Sequence, residues 1–334
     1  MNVKQIAKLS GVSAPTVSRV LNNHPDVREA TRQRVLAVIQ QMNYRPNAAA
    51  RSLAAGQTHV LGLVMRREPH TIFNEAYFSL LTLGISSACN AHDRAVMFWL
   101  VEPEHEQRIL QKITAGGLVD GVIISTMRSA DSLTDGLQAS RIPFIQIGRH
   151  ATAGSASYVD VENLNGAREA VMHLLRLGRR RIATITGPLH MISSMDRRDG
   201  YLAALTARKA PIYPDLIAEG DNSETGGYLA MQLLLPHQPD AVFAANDNMA
   251  MGALRGITET GRRVPEDVAL IGFDDLPFAA HTTPPLTTVR QPIMQAGTLA
   301  TEMLIELIDN PASPPKRIVL PTELVIRHSC GFRT

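Results

Sequence analysis

From residue 58 onward, short apolar runs alternate with segments in which apolar positions recur every three to four residues. The runs have the length and β-branched content of buried strands, and the intervening segments have the period of amphipathic helices. The clearest runs are Val60–Met65, Ala95–Val101, Val119–Ser125, Phe144–Gly148, Ile182–Gly187, Ala241–Ala245 and Val268–Phe273. Strands that alternate with helices form parallel sheets, because each crossover helix packs back onto the sheet. Seven or more such strands predict two doubly wound subdomains.

The first 45 residues have only the helical period and predict three short helices. One face of the first helix carries Val3, Ile6, Ala7 and Leu9. Gly11 then interrupts the pattern, and Ser13 is a good N-cap for a second helix. The inner face of that helix carries Val17, Val20 and Leu21, and the third helix, over residues 30–42, carries Val35, Leu36, Val38, Ile39 and Met42. Two helices around a glycine turn are typical of a helix-turn-helix, although the periodicity also fits any three-helix bundle.

Charge is distributed unevenly along the chain. The overall balance is +2, but residues 1–60 contain eight basic and two acidic side chains, which leaves −4 for the remainder. A basic head on an acidic body is what phosphate binding at one end of the molecule would produce. A solvated pair of charged helices would give the same balance.

The sequence argues against several classes of protein. No run approaches the ~20 apolar residues that span a bilayer, and the N-terminus lacks a secretory signal. Cys89 and Cys330 have neither disulfide-framework nor metal-ligand spacing, which fits a reducing compartment. No P-loop, nucleophile elbow or HExxH motif occurs. We therefore expect a cytoplasmic protein without metal, cofactor or enzymatic activity.

Two segments of the head identify a family. Residues 6–22, IAKLSGVSAPTVSRVLN, closely resemble the headpiece of LacI/GalR-family regulators, and residues 44–53, YRPNAAARSL, resemble that family's hinge. The resemblance continues through the chain. It implies an all-α helix-turn-helix headpiece over residues 1–46, a hinge helix or linker over residues 47–57, and a two-lobed effector-binding and dimerisation core over residues 58–334. The implied core is periplasmic-binding-protein-like, an α/β fold of two doubly wound parallel sheets, with crossings between lobes near residues 160, 290 and 318–322.

The resemblance also assigns DNA contacts by position. The implied set is Ser13, Ala14, Pro15, Thr16, Ser18, Arg19, Asn22, Tyr44, Asn47, Ala50 and Leu53. Arg19 can pair bidentately with guanine, whereas Ala14 and Pro15 offer only apolar contact to bases. Leu53 is the implied wedge in the minor groove, carried by a hinge too short to be helical alone. Arg28 stands where the family commonly has a capping Ser, so a cap is lost and a side chain that can contact phosphate is gained.

Polar residues at the carboxyl ends of strands are where open α/β sheets bind ligands. Asn246 follows one predicted strand, Asp274 follows the next, and Arg197 precedes Gly200-Tyr201 in the family's Arg-x-x-Gly-aromatic pattern. The resemblance implies that these three contact the effector, with Phe73 as a fourth contact. An Arg, an Asn and an Asp together can bind several sugar hydroxyls. Asp247 and Asp275 are interpreted as helix caps and stay outside the predicted site.

The expected function is repression at a pseudo-palindromic operator, relieved by a small sugar-type inducer. The expected partners are double-stranded operator DNA, the effector and a second copy of the chain, without a membrane. The chain ends soon after a β-like run, Ile318–Ile326, and no leucine heptads follow, so a homodimer is expected rather than a coiled-coil tetramer. Two alternatives stay open: a regulator that needs a purine-type corepressor, and a sugar sensor that does not act on DNA.

Overall fold

The computed structural model describes residues 2–21, 24–44, 57–65, 75–115, 117–125, 132–149 and 156–332. The chain divides into two compact units, Met1–His59 and Val60–Thr334. Several predicted contacts lie outside the described residues, namely Asn22, Asn47, Ala50, Leu53 and Phe73. Residues 47–56 of the predicted hinge also lie outside the described residues, so the extent of the hinge stays a prediction.

The described part of the smaller unit contains three helices: α1 (Val3–Ser10), α2 (Ala14–Leu21) and α3 (Glu29–Gln41). Helix α1 ends at Gly11, whose φ of 62° is a left-handed conformation that glycine adopts without strain. The hydroxyl of Ser13 accepts a hydrogen bond from the Thr16 amide at 3.3 Å, so the predicted N-cap of α2 is confirmed. Arg28 precedes α3 and makes no side-chain capping bond.

One stripe of each helix builds the core of this unit. The buried residues are Ile6, Ala7, Val17, Val20 and Val35. The prediction was wrong for Leu9, Leu36 and Met42, which are exposed. On a helix that turns about 100° per residue, Leu9 lies on the order of 110° from the centre of the stripe formed by Ile6, Ala7 and Ser10, so it cannot share their face.

The larger unit alternates strands and helices, as the pattern predicts. In chain order its elements are β1 (Val60–Met65), α4 (Ala76–Ala91), β2 (Ala95–Leu100), α5 (Glu106–Ala115), β3 (Gly121–Ser125), α6 (Ser132–Gln138), β4 (Phe144–Ile147), β5 (Ser157–Val161), α7 (Asn163–Arg176), β6 (Ile182–Thr186), α8 (Ile192–Ala207), β7 (Ile217–Glu219), α9 (Glu224–Leu234), β8 (Ala241–Ala244), α10 (Asp247–Glu259), β9 (Ala269–Asp274), β10 (Thr287–Arg290), α11 (Ile293–Asp309), β11 (Arg317–Leu320) and β12 (Glu323–Val325). Short 3-10 helices cover Pro103–His105, Pro214–Leu216, Leu235–His237 and Pro277–His281.

Two six-stranded sheets define two lobes. The N-lobe sheet has the order β11-β5-β4-β3-β1-β2, and the C-lobe sheet has the order β12-β10-β9-β8-β6-β7. Every neighbouring pair is parallel except β10 and β12. The chain passes between the lobes after β5, after β10 and after β11. These positions confirm the three predicted crossings.

The β-like run Ile318–Ile326 is two strands rather than one. Strand β11 pairs with β5 in the N-lobe, and β12 pairs with β10 in the C-lobe. Pro321 lies between the two strands, and proline cannot donate to a ladder, so it suits a point where one sheet is left for another.

Helices cover both faces of each sheet. Helices α4 and α11 pack on one face of the N-lobe sheet, and α5 and α6 pack on the other. The central strands β1 and β3 are therefore buried almost throughout, which explains why they read as continuous apolar runs. Within the described part of the chain, no helix is both long and apolar enough to cross a bilayer.

Candidate functional site

A cleft opens between the lobes at the carboxyl ends of strands from both sheets. It encloses about 940 Å³ of space, counted to its open mouth. Its N-lobe wall is mainly apolar and includes Tyr77, Phe78, Ile147, Ile293 and Ala296. Its C-lobe wall is mainly polar and includes Ser193, Ser194, Arg197, Asn222, Asn246, Asn248 and Asp274. The structure thus brings three of the four predicted effector residues together, and the fourth, Phe73, lies outside the described residues.

Arg197 and the buried Asp274 form an ion pair in the C-lobe wall. Nη1 of Arg197 lies 3.4 Å from Oδ1 of Asp274 and donates to the carbonyl of Ala245 at 2.5 Å. The guanidinium also stacks over Phe273, 3.7 Å from the ring centre, a cation–π contact that fixes its plane. Burial raises the pKa of Asp274 to about 6, against the opposing effects of Arg197 and of a hydrogen bond from Gln291.

The backbone that presents Asp274 is unusual for residues other than glycine. Asp274 has a φ of 112° and Asp275 a φ of 57°, conformations that persist only when neighbouring contacts hold them. Asp247, fully buried, accepts hydrogen bonds from the Leu276 amide at 2.8 Å and from the Thr288 hydroxyl at 2.6 Å. Burial and the nearby Asp274 charge raise the pKa of Asp247 well above its ordinary range.

The interpretation of Asp247 and Asp275 as helix caps is wrong. The cap of α10 is Asn246, whose side-chain oxygen accepts from the Met249 amide at 2.8 Å. Asp275 instead pairs with Arg290 at 2.7 Å and Arg327 at 2.6 Å. An aspartate at the start of a helix is usually a cap. Here both carboxylates are instead bound by residues far along the chain.

Asn246 lines the cleft but already has partners. Besides capping α10, its amide nitrogen donates to the carbonyl of Asn222 at 3.0 Å. An amide side chain has two donor hydrogens and two acceptor sites, so one of each stays available for a ligand. Asn222 itself presents a small polar side chain to the cleft.

A second ion-pair network crosses the cleft and was not predicted. Arg149 follows β4 in the N-lobe, and its guanidinium donates to Asp160 at 3.0 Å and to Asp196 of α8 in the C-lobe at 2.6 Å. Burial alone would lower the pKa of Arg149, but the hydrogen bonds and charges of Asp196 and Asp160 raise it. Burial raises the pKa of Asp196, opposed by Arg149. Because Arg149 comes directly after a predicted strand, the strand-end rule could have found it.

In the smaller unit, α2 presents one side to solvent. Ser13, Pro15, Ser18 and Arg19 are exposed there, and Ala14, Thr16 and Tyr44 are half-buried against the core of the unit. The hydroxyls of Ser13 and Thr16 lie 2.8 Å apart. Short polar groups and one arginine on an exposed second helix suit entry into a major groove.

A basic helix-turn-helix joined to a two-lobed α/β unit with a polar interlobe cleft defines a ligand-responsive DNA-binding regulator. Residues 2–47 match the bacterial regulatory proteins of the lacI family, and residues 171–330 match the periplasmic binding protein-like domain. The chain is 38% identical to the HTH-type transcriptional regulator CelR of Thermobifida fusca, covering 98% of this chain and 97% of that protein. It is 33% identical to the ribose operon repressor of Escherichia coli strain K12, covering 98% and 99%.

The solved structures that this chain resembles are also transcriptional regulators. A transcriptional regulator CelR–cellobiose complex has a TM-score of 0.79 at 34% identity, covering 98% of this chain and 99% of that one. A lac repressor dimer bound to operator and the anti-inducer ONPF has a TM-score of 0.87 at 29% identity, covering 99% of both chains. The chain belongs to the LacI family of bacterial transcriptional regulators, and the fold expected from the resemblance is confirmed.

Proposed function

We propose that this regulator binds a pseudo-palindromic operator as a homodimer in the cytoplasm, represses transcription there, and is released when a neutral sugar binds in the interlobe cleft. The observation that carries the proposal is the Arg197–Asp274 pair in a polar wall that faces an apolar one. Both arginines of the cleft, Arg149 and Arg197, are tied to carboxylates in ion pairs, an arrangement for holding a ligand, and we assign no enzymatic activity.

The two walls suit the two chemistries of a sugar ring. Hydroxyls need hydrogen-bond donors and acceptors, which the C-lobe wall supplies through serine, asparagine, arginine and aspartate side chains. The C–H faces of the ring need apolar contact, which Tyr77, Phe78 and Ile293 of the N-lobe wall supply. CelR in complex with cellobiose and the ribose operon repressor support a sugar as the ligand class.

The charges of the cleft favour a neutral ligand over an acidic one. Glu75, Asp160 and Asp274 line the cleft together with two cations, Arg149 and Arg197. Both cations are already paired with carboxylates. An anionic sugar would have to displace a buried carboxylate from its arginine, which leaves a charge without compensation.

The DNA contacts of the proposal are those implied by the family. Arg19 reads a base edge from the exposed side of α2, and Ser13, Thr16 and Ser18 flank it. Ala14, Pro15 and Tyr44 are the other contacts within the described residues. Asn22, Asn47, Ala50 and Leu53, the last as the minor-groove wedge, lie outside them.

The test of this proposal uses an operator selected from a pool of random duplexes by its binding to the protein. Fluorescence anisotropy would follow its binding during titrations with cellobiose, ribose and hypoxanthine. The proposal expects a neutral sugar to weaken binding. Tighter binding with hypoxanthine would instead favour the corepressor alternative, and failure to select any duplex would favour a sensor that does not act on DNA.

A further inference from the structure

Both members of the Arg197–Asp274 pair are hydrogen-bonded to a side chain in a connection between the lobes. Nε of Arg197 donates to Oδ1 of Asn163 at 2.9 Å, and Asn163 begins α7 just after the first crossing. Nε2 of Gln291 donates to Oδ1 of Asp274 at 2.5 Å, and Gln291 lies between β10 and α11, in the second crossing. Side chains at two of the three interlobe connections are therefore hydrogen-bonded to the ligand-facing pair.

The contacts continue into the N-lobe. Nδ2 of Asn163 donates to Oδ1 of Asp160 at 3.1 Å, and the other oxygen of Asp160 accepts from Arg149 at 3.0 Å. A single line of hydrogen bonds thus runs through Arg149, Asp160, Asn163, Arg197, Asp274 and Gln291. Asn163 and Gln291 line the cleft, yet only 3% and 7% of their surface is exposed, so losing a hydrogen-bond partner is costly for either of them.

The two amides have defined orientations. Asn163 turns its oxygen to the guanidinium of Arg197 and its nitrogen to a carboxylate, and Gln291 turns its nitrogen to Asp274. A sugar that hydrogen-bonds Arg197 and Asp274 binds the same guanidinium and carboxylate that hold these amides, so it polarises or competes with the hydrogen bonds to both amides. Lobe closure in turn requires backbone rotation in the connections where both amides lie.

We propose that Asn163 and Gln291 are positioning residues that transmit ligand occupancy of the Arg197–Asp274 pair to the two connections and so set the angle between the lobes. This rests on the proposed function, because it takes that pair as the ligand-binding pair.

The variant Gln291→Met tests the second connection, since it keeps the length of the side chain and removes its donor. Gln146→Met is the matched control: Gln146 is also buried and donates one side-chain bond, to Thr134 at 3.0 Å, within the N-lobe alone. The measured quantity is the ratio of operator Kd at saturating cellobiose to operator Kd without sugar. We expect Gln291→Met to lower this ratio about tenfold, with sugar-free operator binding and the Gln146→Met ratio unchanged. A wild-type ratio in Gln291→Met, or an equal loss in Gln146→Met, would overturn the proposal.

A second measurement needs no ligand and tests both connections. Hydrogen exchange would compare Asp274→Ala with Asp267→Ala, a control that breaks a surface pair with Arg263 in the same lobe. The reporters are the amides of Glu162, bonded to the Leu320 carbonyl, and Ile293, bonded to the Gln291 carbonyl. Faster exchange at both amides in Asp274→Ala alone is expected, and unchanged exchange would overturn the coupling.

The two measurements separate this inference from the proposed function. A wild-type protein that responds to neither cellobiose nor ribose counts against the sugar proposal, and hydrogen exchange then decides the coupling on its own. A wild-type protein that responds to cellobiose, with full response also in Gln291→Met and Asn163→Ala, would leave the function standing and remove the coupling.

Discussion

Arg149 of the N-lobe and Asp196 of the C-lobe form an ion pair across the cleft, with Nη2 and Oδ1 2.6 Å apart. Asp196 directly precedes Arg197 on α8, so the contact that joins the lobes and the one proposed to face the ligand share one turn of helix. The Asp196 side chain is 11% exposed but that of Arg149 is 39% exposed. Solvent screening on the arginine side therefore limits the strength of the pair.

A double-mutant cycle on this pair should show coupling. Arg149→Met leaves both Asp160 and Asp196 without their cation, so we expect it to reduce the free energy of unfolding more than Asp196→Asn does. The double variant should lose less than the sum of the two, by roughly 1 kcal/mol. Urea unfolding of the four proteins measures this difference, and strictly additive losses would show that the pair contributes nothing across the cleft.

Sugar binding should weaken on acidification. Burial raises the pKa of Asp274 to about 6, and a protonated carboxyl accepts hydroxyl hydrogen bonds less well than a carboxylate. We expect sugar affinity to fall from about pH 7 to about pH 5, measured by calorimetry. Asp274→Asn should bind weakly at both pH values, and an equal pH dependence in that variant would place the titrating group elsewhere.

The stability effect of the same group has the opposite sign. Because the pKa of Asp274 lies above its ordinary value of 3.8, the folded protein holds this proton more tightly than the unfolded chain does. Protonation of Asp274 therefore stabilises the folded protein more as pH falls from about 6 toward 3.8, and this stabilisation is lost as pH rises through about 6. Unfolding through this group cannot explain weaker sugar binding in acid.

Arg19→Ala should relax sequence preference at one position of each half-site. A bidentate contact to guanine is worth roughly 1–3 kcal/mol, so operator affinity should fall by that amount per half-site. Affinity for a random duplex should change far less. Anisotropy on both duplexes measures the difference, and an equal loss on the two would mean that Arg19 contacts only phosphate.

Tyr201→Phe offers a contrasting case, in which stability changes without function. Tyr201 is fully buried, and its hydroxyl donates to the carbonyl of Ile182 at 2.9 Å. Burial raises the pKa of Tyr201 to about 12, so the hydroxyl stays a donor. We expect a loss of about 1 kcal/mol in the free energy of unfolding, with wild-type operator and sugar binding. Altered sugar binding would show that the interior of the C-lobe communicates with the cleft.

The strand-end rule reaches the parts of the site that follow recognisable strands, including Arg149, which the prediction missed. Asn246 and Asp274 come after apolar runs, whereas Asn163 and Gln291 follow β5 and β10, whose sequences SYVDV and TTVR are broken by polar residues. Those polar residues are buried because they have distant partners: the Thr288 hydroxyl donates to Asp247 at 2.6 Å. No local pattern contains such a partner, which is also why Asp247 was mistaken for a cap. The apolar wall from Tyr77 and Phe78 begins a helix rather than ending a strand, so the same rule does not reach it.

Operator binding by Asp274→Ala across a cellobiose titration tests the central claim most directly, with Asp267→Ala as the control from the same lobe. The account predicts that both variants bind the selected operator as the wild type does, because neither substitution lies in the helix-turn-helix unit. Asp267→Ala should then release the operator at wild-type sugar concentrations, whereas Asp274→Ala should stay bound. Wild-type release by Asp274→Ala, together with wild-type sugar affinity in calorimetry, would contradict the account and leave Asp274 as a structural residue of the C-lobe.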